Sequence, residues 1–136
     1  MANPIRIVLV DDDESLLESI DALLRAEGSF TVMGPSTEAI RAAQPAERQE
    51  PDLVILDLTI PLVDGIEATR RMRALLPSTR ILVLSAQTAP PYVGSALKAG
   101  ADGYVTKHSM NGELVQAIRA VLAGEGYVSE ALRISC

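Results

Sequence analysis

Acidic side chains gather where the first apolar run of the chain ends. The run Ile5–Val10 leads directly into three aspartates and a glutamate, in the stretch "VLVDDDES". Carboxylates this close repel one another, and Mg²⁺ would relieve the repulsion because it binds carboxylate oxygens while retaining several waters. A further carboxylate, Asp57, lies at the end of the apolar run "DLVILDL". These groups are therefore candidate ligands of a magnesium ion.

A hydroxyl and an ammonium group follow two other apolar runs. Ser85 ends the run in "RILVLSA", and Lys107 ends "GYVTK". An aspartate can act as the nucleophile toward a phosphoryl group, whose oxygens a metal ion and a lysine would neutralise and a serine would bind. Each residue alone is an ordinary polar group at a strand end. Their joint occurrence favours phosphoryl transfer onto a carboxylate.

The elements that must position these groups alternate along the chain. Five runs rich in β-branched residues are apolar at consecutive positions, which predicts strands buried on both faces of a parallel sheet. These strands are predicted at 5–10, 30–34, 52–58, 80–86 and 103–107. Helices are predicted at 14–28, 37–44, 65–76, 92–100 and 112–124. The alternation predicts a doubly wound α/β domain, whose ligands bind at the carboxyl ends of the strands.

Composition narrows the class of protein. The 136 residues suit one domain, and 48% are hydrophobic, enough to fill a core. The net charge of −6 disfavours direct nucleic-acid binding, because that requires clustered Lys and Arg. With one cysteine, Cys136, no disulfide forms within the chain, and no apolar run approaches the ~20 residues of a membrane span. We therefore expect a cytoplasmic protein that neither enters a membrane nor binds nucleic acid through this domain.

Four motifs resemble one protein family. They are "VLVDDD", "PDLVILDLTIPLVDG", "ILVLSA" and "KAGADGYVTK". Over residues 5–125 the chain resembles the receiver domain of bacterial two-component response regulators, and most closely the NarL/FixJ subfamily. The resemblance implies a flavodoxin-like (βα)5 three-layer sandwich, with a five-stranded parallel sheet in the order 2-1-3-4-5. It also implies a receiver domain at 1–125, followed at 126–136 by a tail or the start of a linker to an output domain.

The resemblance assigns roles to single residues. Asp57 is the expected phosphoacceptor, which receives a phosphoryl group from a sensor histidine kinase. Lys107 pairs with that group, and Ser85 senses it. Tyr104 is the aromatic residue expected to change rotamer as Ser85 is drawn inward. The expected magnesium ligands, with Asp57, are Asp11, Asp12 and the backbone carbonyl of Thr59.

Alternatives remain at three points. In the run "DDDES", Asp13 is expected to cap the first helix, against a register in which Asp12 and Asp13 bind the metal. The chain is expected to come from a longer regulator that controls transcription and dimerises on phosphorylation. The alternative is a stand-alone domain that acts through contacts with other proteins. A Mg²⁺-dependent phosphotransferase with an Asp nucleophile is disfavoured, because Thr59 stands where such enzymes usually place a second Asp.

Overall fold

A parallel sheet forms the centre of the structure, a computed structural model that describes residues 5–10, 14–32, 51–57 and 62–133. Its strands are β1 (Ile5–Val10), β2 (Phe30–Val32), β3 (Leu53–Asp57), β4 (Arg80–Ser85), β5 (Gly103–Thr106) and β6 (Tyr127–Val128). The order across the sheet is β2-β1-β3-β4-β5-β6, and every pair is parallel. The order predicted for five strands is confirmed. The sixth strand, β6, corrects the predicted number and was not anticipated.

Helices connect these strands. They are α1 (Glu14–Glu27), α2 (Leu62–Leu75), α3 (Pro90–Ala99), α4 (Met110–Leu122) and α5 (Glu130–Arg133). The helices α2, α3 and α4 begin two or three residues before their predicted starts. In α3 the reason is that proline suits the first turn of a helix, so Pro90 and Pro91 belong to the helix. The helix predicted at 37–44 lies outside the described residues.

The strands are apolar at consecutive positions because helices cover both faces of the sheet. In β1, Ile7 and Leu9 belong to a buried cluster that also contains residues of α1 and α4. Their neighbours Val8 and Val10 belong to a second buried cluster, with residues of α2 and α3. Successive side chains of a strand point to opposite faces, so the two clusters form two apolar layers. The predicted three-layer sandwich is confirmed.

Glycines allow two helices to end in backbone conformations that other residues rarely adopt. Gly28 follows α1 with a φ of 81°, the left-handed conformation in which many helices end. Gly100 follows α3 with a φ of 124°, and its N–H donates to carbonyls of the last turn. A Cβ at Gly100 would lie 2.7 Å from Cγ of Arg73, so a larger residue is excluded on steric grounds as well.

The segment after α4 packs against the sheet. The strand β6 pairs with β5, placing Tyr127 beside Gly103 and Val128 beside Tyr104. Leu132, in α5, is buried in the same cluster as Val8 and Val10. Residues 127–132 thus share the core of the domain. The domain boundary at residue 125 stays a prediction. Residues 127–132 lie beyond it and nevertheless pack in the core of the domain.

Candidate functional site

The register of the sheet brings three of the predicted site residues to one edge. Asp57, the last residue of β3, pairs with Leu84, directly before Ser85. Ser85, the last residue of β4, pairs with Thr106, directly before Lys107. Neighbouring strands of a sheet lie about 4.8 Å apart. The ends of β3, β4 and β5 therefore carry a carboxylate residue, a hydroxyl residue and an ammonium residue in adjacent positions.

The predicted magnesium ligands lie mostly outside the described residues. Asp11, Asp12 and Thr59 are among these, as is Asp13, the predicted helix cap. Within the described part of the chain, no three His, Cys, Asp or Glu residues come together as a metal site. The strand β1 ends at Val10, which pairs with Leu56 beside Asp57. The donor set thus fits Mg²⁺ in chemistry, because two paired strands both lead into carboxylates.

Gln87 connects the two residues that were predicted to switch. Its backbone N–H donates a hydrogen bond to Oγ of Ser85, at 3.1 Å. Its carbonyl accepts a hydrogen bond from the hydroxyl of Tyr104, at 2.8 Å. Ser85 and Tyr104 are both 0% exposed. Because one residue binds both side chains, a movement of Ser85 and a movement of Tyr104 are mechanically linked through the backbone at Gln87.

A second tyrosine belongs to this group. Tyr92, on α3, packs edge-on against Tyr104, with ring centroids 6.3 Å apart and an interplanar angle of 76°. Burial raises the pKa of Tyr104 to about 12, although the Ser85 hydroxyl opposes the rise and Tyr92 adds to it. Burial also raises the pKa of Tyr92, with Ser85 again acting in the opposite direction. Both phenols are therefore neutral at physiological pH.

Lys107 opens a short 3₁₀ turn that extends to Ser109 and leads into α4. The side chain of Lys107 is half-buried, and that of His108 is exposed. The described residues contain no cis peptide bond, so the bond between Lys107 and His108 is trans.

A cluster of hydrogen bonds beside the site was not predicted from the sequence. The hydroxyl of Ser129 accepts from the backbone N–H of Thr106 at 2.9 Å and donates to Glu113 Oε2 at 2.7 Å. The other oxygen of Glu113 accepts from the hydroxyl of Tyr127 and from the N–H of Glu130, both at 2.9 Å. We call this set of residues the C-terminal lock. The one local signal was the serine before α5, which is typical of a helix start.

A second missed cluster lies at the opposite edge of the sheet. Arg73 donates to the carbonyls of Thr79 and Gly100, at 2.7 Å and 3.0 Å. It also forms a 2.6 Å ion pair with Asp102, which accepts the N–H of Ile81. This cluster ties the end of α2 to the loop before β5. A surface cleft of about 640 Å³ lies at that edge too, and none of the predicted site residues lines it.

The doubly wound sheet with its polar carboxyl edge defines a flavodoxin-like α/β domain. The chain belongs to the response regulator receiver domain family, whose sequence model matches residues 7–119. Members of this family are the signalling switches of two-component systems. Among the described residues, no helix has both the length and the apolar character needed to cross a membrane.

Relatives and a solved structure agree with this assignment. The chain is 36% identical to the nitrate/nitrite response regulator protein NarL of Escherichia coli over 129 residues, 95% of this chain and 60% of that protein. It is 33% identical to the transcriptional regulatory protein DegU of Brevibacillus brevis over 126 residues, 93% of this chain and 53% of that protein. The chain thus spans little more than half the length of these relatives.

One structural match is to a two-component response regulator of the LuxR family from an Aurantimonas species. The two structures superpose with a TM-score of 0.88 at 38% sequence identity. The match covers 96% of this chain and 93% of that chain. The subfamily resemblance drawn from the motifs is therefore confirmed.

Proposed function

We propose that this domain accepts a phosphoryl group on Asp57 from a sensor histidine kinase, with Mg²⁺, and changes conformation to control an output. It acts as a switch and catalyses only its own phosphorylation and dephosphorylation. The observation that carries the proposal is the register at the ends of β3, β4 and β5. That register brings Asp57, Ser85 and Lys107 into neighbouring positions at one edge.

The transfer follows from the chemistry of these residues. A carboxylate oxygen of Asp57 attacks phosphorus as the phosphorus–nitrogen bond of the kinase's phosphohistidine breaks, and the imidazole departs with its electron pair and takes up a proton. Bound Mg²⁺ would neutralise negative charge on the phosphoryl oxygens. Asp11, Asp12, Asp57 and the carbonyl of Thr59 would hold that ion. Lys107 supplies a second positive charge beside the phosphoryl group.

The conformational response begins at Ser85. A phosphoryl oxygen on Asp57 would accept a hydrogen bond from the Ser85 hydroxyl, which biases that hydroxyl toward the site. The Gln87 backbone then transmits the change, because it binds both Ser85 and the hydroxyl of Tyr104. Phosphorylation thus shifts the population of Tyr104 from the outward toward the inward position, which is the phosphorylated state. In the structure Tyr104 is in the inward position, 0% exposed.

The output is proposed from the relatives. NarL of Escherichia coli is a response regulator and DegU of Brevibacillus brevis is a transcriptional regulatory protein. We expect this domain to act in the cytoplasm and to control transcription through a DNA-binding domain outside these 136 residues. A homodimer formed on phosphorylation is the expected active form. The alternative output is direct contact with a partner protein by the domain alone.

The test of this proposal is phosphorylation in solution. The protein is treated with acetyl phosphate and Mg²⁺, and its intact mass is measured before and after exposure to acid. We expect one acid-labile phosphoryl group in the wild type and none in Asp57→Asn. The control is Asp21→Asn, because Asp21 lies on α1 in a surface ion pair with Arg25. A phosphoryl group retained by Asp57→Asn would refute the assignment.

The metal site is tested by titration calorimetry. Asp12→Ala is expected to weaken Mg²⁺ binding by at least about tenfold, because few protein carboxylates hold the ion. The Asp21→Asn variant should bind Mg²⁺ as the wild type does. Equal affinities in Asp12→Ala and wild type would show that the ion binds elsewhere.

A further inference from the structure

One buried hydroxyl beside the switch has no hydrogen-bond partner in the part of the chain that the structure describes. Tyr92 is 6% exposed, and its oxygen is buried without a partner among the described residues. The chain has three tyrosines. The other two hydroxyls both donate hydrogen bonds, that of Tyr104 to the carbonyl of Gln87 and that of Tyr127 to Glu113. Tyr92 is therefore the exception among chemically identical groups.

An unpartnered buried hydroxyl destabilises the conformation that contains it, since the group has lost its bonds to water and gained none. The Ser85 hydroxyl lies near the oxygen of Tyr92 and partly opposes the rise in the pKa of Tyr92 that burial causes. The two hydroxyls nevertheless do not form a hydrogen bond of normal geometry. A phenylalanine would fill the same space without this penalty, so the hydroxyl is unexplained by packing.

The location of this hydroxyl connects it to the switch. The Tyr92 ring packs edge-on against Tyr104, which occupies the inward position. If Tyr104 turned outward, the ring would leave the space beside Tyr92. Water could then enter, or the Ser85 hydroxyl could approach, and either would satisfy the Tyr92 oxygen. The penalty at Tyr92 therefore applies to the inward conformation and is relieved in the outward one.

We propose that Tyr92 is a positioning residue of the switch, whose unpartnered hydroxyl disfavours the inward conformation of Tyr104 and so keeps the unphosphorylated domain inactive. This inference rests on the proposed function, in which the inward position of Tyr104 is the phosphorylated state. The phosphoryl group on Asp57 must outweigh the penalty through its bond to Ser85. The hydroxyl thus increases the difference in inward population of Tyr104 between the unphosphorylated and the phosphorylated domain.

Removal of the hydroxyl should change the ratio of the two conformations. The expected increase in the inward-to-outward ratio for Tyr92→Phe is about five- to a hundredfold, which converts to about 1–3 kcal/mol. The measurement is nuclear magnetic resonance of ring-labelled tyrosine in unphosphorylated protein. The three tyrosines give three sets of signals, and each Tyr→Phe variant assigns its own set by loss.

The matched controls are the other two tyrosines. Tyr104→Phe loses its bond to the Gln87 carbonyl and should respond less to phosphorylation. Tyr127→Phe loses a bond to Glu113 in the C-terminal lock. It should leave the inward-to-outward ratio of Tyr104 the same as in the wild type. In a second measurement, Tyr92→Phe should bind beryllofluoride, a mimic of the phosphoryl group, more tightly than wild type with Mg²⁺ present. Tyr127→Phe should bind it as wild type does.

Two outcomes would overturn the inference. In one, Tyr92→Phe becomes more stable to urea while the Tyr104 ratio stays the same, which would make the hydroxyl a structural defect only. In the other, the unphosphorylated wild type already holds Tyr104 wholly inward. Failure of the wild type to accept a phosphoryl group would refute the proposed function instead. The resonance measurement needs no phosphodonor, so the two failures are distinguishable.

Discussion

Replacement of Ser129 by alanine should destabilise the domain through the C-terminal lock. The Ser129 hydroxyl is the partner of the Thr106 N–H, and Thr106 and Ser129 are 2% and 0% exposed. The substitution leaves that N–H buried without a partner, at a cost of about 1–3 kcal/mol. It also removes a hydrogen bond to the carboxylate of Glu113, where water can partly replace it. We therefore expect a loss of about 2–4 kcal/mol in the free energy of unfolding.

Urea unfolding followed by circular dichroism measures this loss. Against a total stability of about 5–15 kcal/mol, the change is large, and the melting temperature should fall by about 10 °C. The control is Ser78→Ala, because Ser78 is exposed and its substitution should change stability by less than about 0.5 kcal/mol. Hydrogen exchange gives a local check, since the Thr106 amide should lose protection in Ser129→Ala.

A double-mutant cycle with Glu113→Gln tests the mechanism. Ser129 and Glu113 share a 2.7 Å hydrogen bond, so their substitutions should be non-additive by about 0.5–3 kcal/mol. Additive losses, or a Ser129→Ala protein as stable as Ser78→Ala, would refute the reasoning. In either case the packing of β6 would rest on its backbone pairing with β5 and on apolar contacts, and not on the Ser129 hydroxyl.

Three further predictions concern the end of α3, its interior and the buried phenol. Gly100→Ala should lower the free energy of unfolding by about 1–3 kcal/mol, because the φ of Gly100 is 124° and a Cβ would lie 2.7 Å from Arg73 Cγ. Thermal melting measures this loss. Gly94→Ala should instead raise it by about 0.5–1 kcal/mol, because a Cβ there meets nothing within 4 Å and glycine weakens a helix interior. The pKa of Tyr104 is raised to about 12, so the unfolded chain loses that proton first, near pH 10. Stability should therefore fall between pH 10 and pH 12 by up to about 3 kcal/mol more in wild type than in Tyr104→Phe, and equal losses in urea unfolding would contradict the burial of this phenol.

The strand ends and the family could be predicted because their signals are local. Consecutive apolar residues in β1 predict burial on both faces, and a carboxylate directly after a strand must lie at its carboxyl edge. Asp57, Ser85 and Lys107 needed no more than these rules and a parallel sheet to come to one edge.

The contacts around the site could not be predicted, because they join residues far apart in the chain. Ser129 binds Thr106 and Glu113 through a strand of two residues, too short to show a period. Gln87 bridges Ser85 and Tyr104 through its backbone, for which its side chain gives no signal.

Local pattern was thus sufficient for the alternation of strands and helices and for the chemistry at the strand ends, since both follow from apolar runs and residue type. The order of the strands was predicted only through the resemblance to the receiver family. The partner of each buried polar group depended on packing across the sheet. Tyr92 shows this most clearly, because its hydroxyl lacks a partner among the described residues although its ring packs on Tyr104, twelve residues further along the chain. A hydrogen bond, or its absence, is set by distances of tenths of an ångström, and such distances exist only once the helices have docked on the sheet.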